Sequence, residues 1–282
     1  MKILRYEQLS HGQRRLVHQL LQKNRLSPLS LSFQPPEKYQ WALIKGDAVC
    51  ATLGFNQFAS SLQIINAAYT DLIAFRTLAH FVHDYALSLH PHQIDVQIIP
   101  PHDFGLVSTW NTLGYTLSSE QFRFIGLIND HAASLQFKPL TLRNRSLFLN
   151  LRNESIQSSH FLFSYDVSHI EYLIEQGALP YLVYDQQTIV GTIIIQKQKQ
   201  TIRLLEITCI PELKNQGYGR RILETFQAKL KRTTVRTFET YCFSTHQEAL
   251  RLYDPDTFCD IQLFSHWHTY SRESLRNRST IS

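Results

Sequence analysis

The sequence contains little cysteine and few charged residues for its length. Its four cysteines are Cys50, Cys209, Cys242 and Cys259; no two form a CxxC pair, and most lie within apolar stretches. This spacing argues against a zinc site and against a disulfide framework, and it favours buried, reduced thiols. Charged residues make up 18% of the 282 residues and hydrophobic residues 43%, a balance typical of a globular protein with a substantial core.

Long apolar runs are also missing. The longest, near residues 189–195, is far too short to cross a bilayer. Residues 1–15 become charged before the apolar run of a signal peptide could form. These absences predict a cytoplasmic protein with no membrane partner.

Metal and nucleic-acid motifs are absent from the sequence as well. The pairs His90/His92 and His266/His268 have no cysteine or carboxylate at ligand spacing, so we expect no metal. The net charge of +5 would attract polyanions, but the basic residues are scattered and no aromatic-interleaved basic run occurs. A nucleic-acid or protein-interaction module therefore stays a less favoured alternative.

The sequence does contain a glycine-bearing loop between a strand and a helix, at residues 204–223 (LLEITCIPELKNQGYGRRIL). Gly217 and Gly219 let the backbone turn tightly, and the first N–H groups of the following helix attract anionic oxygens. A dinucleotide fingerprint would need glycine at Ile222, and a P-loop would need Lys and Ser/Thr at Arg220 and Arg221, so both motifs fail. On its own, such a loop is more often an ordinary connection.

The chain also resembles itself at a shift of 140 to 145 residues. The matching blocks are 41–55 with 181–195, 62–70 with 202–210, 94–99 with 237–243, and 104–115 with 247–258. The second copy has five extra residues between strand and helix, and these form the glycine loop; residues 55–104 contain no glycine. A period this long indicates a domain duplication, so we predict two domains, 1–130 and 131–282.

The loop resembles the cofactor loop of the GCN5-related N-acetyltransferases (GNAT), Gln/Arg-x-x-Gly-x-Gly/Ala, although Lys214 stands at the first position. The resemblance implies an α/β (α+β) fold of two tandem GNAT-like domains, each a mixed, mostly antiparallel sheet flanked by helices. It also implies acetyl-CoA or another acyl-CoA as cosubstrate, no metal, and acyl transfer to a primary amine of a small molecule or peptide. The implied cofactor-binding residues are Lys214, Asn215, Gln216, Gly217, Tyr218, Gly219 and Arg220, with the pantetheine arm along Cys209 and Ile210 and against His246.

Glu206 is the candidate general base. It is the only charged residue in the apolar run 204–210, and a lysine-like amine with a pKa near about 10.4 must lose a proton before it attacks. The family often places a catalytic glutamate on this strand. The alternative is a structural glutamate paired with an arginine such as Arg203, or with a residue of the last helix.

Tyr253 is the candidate general acid. It ends the segment HQEALRLY, which resembles the family helix Asn-x-x-Ala-x-x-x-Tyr, with His246 in the place of the Asn. The resemblance implies that the Tyr253 hydroxyl protonates the departing sulfur, while a tyrosine packed in the core is the alternative. Direct attack by the amine needs no covalent intermediate, so Cys209 should be dispensable as a nucleophile.

The first copy lacks all three features. Under the same shifts Glu206 falls on Asn66, Tyr253 falls on Trp110, and the glycine loop falls on a deletion. We therefore predict a degenerate first copy and an N-acetyltransferase site in the second. A non-catalytic acyl-CoA sensor or scaffold stays open as an alternative.

Overall fold

The computed structural model describes residues 1–23, 40–57, 61–99, 104–156, 164–197, 201–231, 233–253 and 257–271. Within these ranges, the strands are β1 Lys2–Arg5, β2 Gln40–Lys45, β3 Ala48–Gln57, β4 Ser61–Tyr69, β5 Gln93–Ile98, β6 Thr116–Leu127, β7 Gln136–Pro139, β8 Ala178–Asp185, β9 Thr188–Lys197, β10 Ile202–Cys209, β11 Thr237–Phe243 and β12 Phe258–Ser271. The helices are α1 His11–Lys23, α2 Leu72–Ser88, α3 Phe104–Thr112, α4 Arg145–Ile156, α5 Val167–Glu175, α6 Tyr218–Leu230 and α7 Gln247–Leu252.

The chain divides into two compact units. Unit 1 comprises Met1–Glu120 and Phe264–Ser282, and unit 2 comprises Gln121–Leu263. The chain thus passes from unit 1 to unit 2 within β6 and returns within β12. These units follow spatial packing, whereas the domains 1–130 and 131–282 concern the duplicated sequence and stay a prediction.

Both units have the same sheet topology. In unit 1 the strands are ordered β1-β2-β3-β4-β5-β12, and in unit 2 the corresponding order is β7-β8-β9-β10-β11-β6. Neighbours run antiparallel except for the pairs β4–β5 and β10–β11, which are parallel. The predicted fold, a mixed and mostly antiparallel sheet flanked by helices, is confirmed.

In each unit a helix packs on the sheet directly after one of the two parallel strands: α2 follows β4, and α6 follows β10. In unit 2, α6 buries Ile222, Leu223 and Phe226, which cluster with Leu204 and Phe238 of the central strands. Spacings of one, three and four residues place these side chains on one helix face. Each such burial stabilises the fold by roughly 1.5 to 3 kcal/mol. In unit 1, α2 packs in the same way through a cluster that includes Phe75, Leu78, Ala79 and Val82.

The parallel pairing of β10 with β11 is short, and this shapes the site. It joins Ile202–Leu204 with Phe238–Thr240, whereas β10 continues to Cys209 and β11 to Phe243. On the other edge of β10, pairing with β9 contains a bulge between Leu204 and Glu206. A bulge bends and twists its strand, so the two parallel strands separate beyond Leu204. No helix in the described ranges is long and apolar enough to cross a membrane.

Candidate active site in unit 2

Helix α6 begins at a glycine in the left-handed conformation. Gly217 is its N-cap residue with φ +82°, and no side chain caps the helix there. A non-glycine residue would be strained at this φ, although nothing lies within 4 Å of the position that a Cβ would occupy. The first amide groups of α6 thus follow an N-cap residue without a side chain, at the positive end of the helix dipole.

The segment before Gly217 is folded on itself. The Pro211–Leu213 turn follows β10, Asn215 adopts φ +61°, and the Gln216 amide Nε2 donates to the Glu212 carbonyl at 2.8 Å. Of the predicted cofactor-binding residues, Gln216 thus has a side chain that stabilises the loop. Asn215 and Gln216 are exposed and Lys214 is half-buried. The sequence prediction that this segment is a tight backbone turn agrees with these contacts.

An ion pair that the sequence did not reveal fixes the start of α6. The Arg221 Nη1 group donates to Asp185 Oδ2 at 2.8 Å, and the Tyr218 hydroxyl donates to the same oxygen at 3.2 Å. The hydrogen bond from Arg221 is the main reason that the pKa of Asp185 lies below its usual value. Asp185 ends β8, so its proximity to α6 depends on the sheet and not on sequence spacing. The predicted Arg220 side chain, by contrast, is exposed.

Gly219 brings three elements together. A Cβ at this position would lie 3.8 Å from Cys209 Sγ and 3.9 Å from a methyl group of Leu252, which are ordinary contact distances. The first turn of α6, the end of β10 and helix α7 therefore converge here. Burial raises the pKa of the Cys209 thiol to about 11, so this thiol is protonated at neutral pH.

Glu206 forms a two-point ion pair with Arg152 of α4. The Arg152 Nε group donates to Oε1 at 2.9 Å, and Nη2 donates to Oε2 at 2.7 Å. Both side chains are buried, at 1% exposure for Arg152 and 8% for Glu206. This contact agrees with the alternative that Glu206 pairs with an arginine, but the partner is Arg152, whereas Arg203 pairs with Glu239. The pair could not be predicted from the sequence because 54 residues separate Arg152 from Glu206.

The Arg152 guanidinium also contacts Tyr165 and Asn153. Its guanidinium carbon lies 3.5 Å from the centre of the Tyr165 ring, and Nη1 donates to the Asn153 side chain at 3.1 Å. Burial disfavours the charged form of Arg152, but the charge and hydrogen bonds of Glu206 outweigh it and raise the pKa of Arg152 above its usual value. The guanidinium therefore stays charged beside Glu206.

Tyr253 is buried at the end of α7 and packs on Phe124 and Phe258. Its hydroxyl shares a 3.4 Å hydrogen bond with Thr240 Oγ1 on β11, next to the point where β10 and β11 separate. Burial raises the pKa of Tyr253 well above its usual range, and the nearby Cys242 and Glu206 add to this. The hydroxyl therefore keeps its proton at neutral pH.

His246 occupies the N-cap position of α7 and makes no side-chain capping bond to that helix. Its carbonyl accepts from the Leu250 amide, and its ring lies edge-on to Phe243 at 5.3 Å between centroids. The residue is thus positioned at the end of β11. In the part of the chain that the structure describes, no group of three or more His, Cys, Asp or Glu residues could hold a metal ion.

Residues 147–254 match the model of the Acetyltransferase (GNAT) family. The matched residues all lie within unit 2. The matched segment contains the α6 loop, Glu206 and Tyr253. Family and fold together support an acyl-transfer function. A comparison with curated proteins finds no match.

Several solved structures share the fold along nearly the whole chain. A GCN5-related N-acetyltransferase from Anabaena variabilis ATCC 29413 is 14% identical with a TM-score of 0.64, over 95% of this chain and 72% of that one. One from Kribbella flavida is 13% identical with a TM-score of 0.65, over 96% and 71%. A tandem GNAT protein from the clavulanic acid biosynthesis pathway is 10% identical with a TM-score of 0.62, over 94% and 96%. These likenesses show a GNAT-like fold in both units.

Helix α2 of unit 1, which corresponds to α6, is capped differently from α6. Its N-cap residue Asp71 accepts hydrogen bonds from the amides of Ile73 at 2.9 Å and Ala74 at 3.2 Å. A carboxylate therefore binds the first-turn amides of α2, which in α6 no side chain caps. Trp110, at the position of Tyr253, is fully buried in the unit 1 core. The degenerate first copy stays a prediction, and the Asp71 cap gives it a physical basis.

Proposed function

We propose that the GNAT domain of unit 2 binds acetyl-CoA, or a related acyl-CoA, and transfers the acyl group to a primary amine by direct attack. The observation that carries the proposal is the N-terminus of α6. Its N-cap is a glycine, no side chain caps it, and Gly219 of its first turn lies near Cys209 at the end of β10. The site in unit 1, where Asp71 supplies a negative charge, is not proposed to bind the cofactor.

The residues of the loop fit a bound diphosphate. Backbone amides from Gly217 to Arg220 would face the phosphate oxygens, and Gly217 and Gly219 leave room for close approach. Main-chain groups at Cys209 and Ile210 would pair with the pantetheine arm, with Lys214 and His246 at its sides. Acetyl-CoA supplies the acetyl group as a thioester.

Glu206 is proposed to receive the proton of the acceptor amine. A carboxylate has about four lone-pair directions, of which Arg152 occupies two. A remaining lone pair would accept the proton directly or through one water molecule. The two-point pairing with Arg152 fixes the orientation of the Glu206 carboxylate.

Tyr253 is proposed to protonate the departing sulfur. Its hydroxyl remains protonated because burial raises its pKa, and Thr240 orients it. The proton would then pass to a thiolate as it forms. The Cys209 thiol, with a pKa of about 11, takes no covalent part.

The test is release of CoA thiol from acetyl-CoA in the presence of a panel of primary amines. We expect acceptor-dependent release that falls by about 100-fold or more in Glu206→Gln, with binding of acetyl-CoA unchanged. Binding of acetyl-CoA without release by any amine would favour the sensor or scaffold alternative. Absence of binding would contradict the proposal altogether.

A further inference from the structure

A second cluster of charges lies on the sheet of unit 2, and the proposed chemistry does not use it. Glu239 of β11 accepts hydrogen bonds from two arginines: Arg203 Nε at 2.6 Å and Arg123 Nε at 2.8 Å. Glu239 is 7% exposed, Arg203 16% and Arg123 34%. Two guanidinium groups thus meet one carboxylate, which leaves one positive charge in excess at a partly buried position.

This cluster shares a sheet face with Glu206. On β9, Gln196 lies opposite Arg203 and Ile194 lies opposite Glu206. Residues 194 and 196 point to the same face because strand side chains alternate, and cross-strand partners share a face. The bulge after Leu204 therefore makes Arg203 and Glu206 successive side chains on one face of β10.

Tyr241 lies on the same sheet face as Glu239. It is the next residue of β11 on the face of Glu239, and Arg123 of β6 lies opposite it. The charges that act on its hydroxyl are those of Arg203, Glu239 and Arg123, and the Arg203 guanidinium lies 5.2 Å from its ring centre. The local charge at Tyr241 is therefore one positive unit.

The first copy keeps the carboxylate and lacks both arginines. The sheet registers place Asp95 in the position of Glu239, Gln63 in that of Arg203 and Trp267 in that of Arg123. Asp95 accepts hydrogen bonds from the neutral Gln93 and Thr269 side chains. The fold thus accommodates this carboxylate without arginine, so the two arginines of unit 2 need an explanation other than folding.

We propose that the acceptor amine also carries a carboxylate and that Arg203 and Arg123 bind that group. This inference rests on the proposed function, because an acceptor whose amine lies near Glu206 must occupy this sheet face. Guanidinium N–H groups form a planar fork that matches a carboxylate. The excess positive charge favours an anionic acceptor over a neutral or polyamine one.

The first arm of the test compares acceptors that differ in one carboxylate. Amino acids are paired with the amines left after their decarboxylation, such as phenylalanine with phenethylamine, and release of CoA thiol is measured. We expect kcat/KM to be about 10- to 100-fold higher for the amino acids. Arg203→Gln, which introduces the residue of the first copy, and Arg123→Gln should each remove most of this preference through KM. Each variant leaves Glu239 one arginine partner.

Glu239→Gln is a control in which the KM for amino acids should change in the opposite direction. It frees both guanidinium groups, so we expect a lower KM for amino acids and no change for the decarboxylated amines. A purely structural role for the cluster would instead weaken both substrates together. Thermal unfolding of each variant checks that the fold is kept.

The second arm measures binding without turnover. N-acetylglycine and N-acetylphenylalanine are compared with their primary amides by NMR titration, with and without CoA. Tighter binding of the acids that is lost in Arg203→Gln supports the inference even if no amine is acetylated. Equal binding of acids and amides overturns it in that case.

The remaining outcomes separate the two proposals. Acetylation of amines without preference for a carboxylate overturns the inference and leaves the proposed function standing. A preference for O-phosphoethanolamine over ethanolamine, with none for amino acids, overturns the carboxylate assignment and identifies a phosphate acceptor. Absence of CoA release with every amine contradicts the proposed catalysis, and the binding arm then decides the inference alone.

Discussion

Glu206 and Arg152 form a buried, two-point ion pair that joins strand β10 to helix α4 within unit 2. Removal of one member leaves the other charge buried without its partner, which typically costs more than the pair itself contributes. The pair is therefore a point at which stability and the proposed proton transfer depend on the same contact.

Arg152→Met should destabilise the protein by about 3 to 5 kcal/mol, measured by urea unfolding. The control is Arg145→Met, on the same helix, because Arg145 pairs with the exposed Glu171 and should cost only about 0 to 1 kcal/mol. The double variant Arg152→Met/Glu206→Leu should recover much of the loss. Equal costs for Arg152→Met and Arg145→Met would contradict the buried pair.

Gly219→Ala should separate stability from cofactor binding. A Cβ at this position meets only ordinary contacts, and alanine favours a helix over glycine, so stability should be unchanged or higher by up to about 1 kcal/mol. The added methyl group would occupy the space proposed for the cofactor, and affinity for acetyl-CoA should fall at least about 10-fold. Calorimetry and thermal unfolding measure the two effects.

Gly177→Ala is the opposite control. Nothing lies within 4 Å of a Cβ on Gly177, but its φ is +84°, so alanine there should cost about 1 to 2 kcal/mol of stability and leave acetyl-CoA affinity intact. If both Gly219→Ala and Gly177→Ala lowered the affinity for acetyl-CoA, the loss would be a consequence of general destabilisation and not of a blocked cofactor site.

Asp95→Asn should change how stability depends on pH. Burial raises the pKa of Asp95 to about 6, against hydrogen bonds from Thr269 and Gln93 that lower it. The folded state therefore binds the proton more tightly than the unfolded chain, and wild-type stability should fall as the pH rises from 3.8 through about 6.

The asparagine variant lacks this titration, so relative to wild type it should gain stability on the order of 3 kcal/mol between pH 4 and pH 8. Urea unfolding across this range measures the difference, and Asp47→Asn, at an exposed turn, is the control. A difference between Asp95→Asn and wild type that does not vary with pH would contradict the raised pKa.

Tyr253→Phe should lower kcat by about 100-fold or more and leave acetyl-CoA affinity unchanged, because only the proton donor is lost. The hydrogen bond to Thr240 is long, so the cost in stability should stay near 1 kcal/mol. Tyr184→Phe, on β8, is the matched control. Full activity in Tyr253→Phe would assign this tyrosine to the core.

Cys209→Ala should retain acyl transfer within a few-fold. The thiol is protonated at neutral pH because burial raises its pKa to about 11, and direct attack requires no nucleophile from the protein. Loss of turnover with intact acetyl-CoA affinity would instead indicate a covalent mechanism.

The sequence predicted the features that depend on local spacing. The two glycines predicted the loop before α6, the repeat at 140 to 145 residues predicted the duplication, and the resemblance of the loop to the GNAT cofactor loop implied the fold class. Gly217 illustrates this, because its left-handed φ follows from its place between a turn and a helix.

Contacts that depend on strand pairing and on packing against the sheet could not be predicted from the sequence. Arg152 meets Glu206 only after α4 packs on β10, and Arg123 meets Glu239 because β6 pairs with β11. The bulge after Leu204, which decides that Glu206 shares a face with Arg203, leaves no sequence signal of its own. The chain also changes from one unit to the other within β6 and again within β12, which a division of the sequence into two halves does not express.

The most direct test of the central claim is calorimetric titration of the full chain with acetyl-CoA, repeated on a variant in which Gly217 and Gly219 are both replaced by leucine. The account predicts one site per chain in the wild type and none in the variant, because no side chain caps α6 at Gly217, whereas Asp71 caps the corresponding helix α2 of unit 1. Two sites, or one site that persists in the variant, would contradict it.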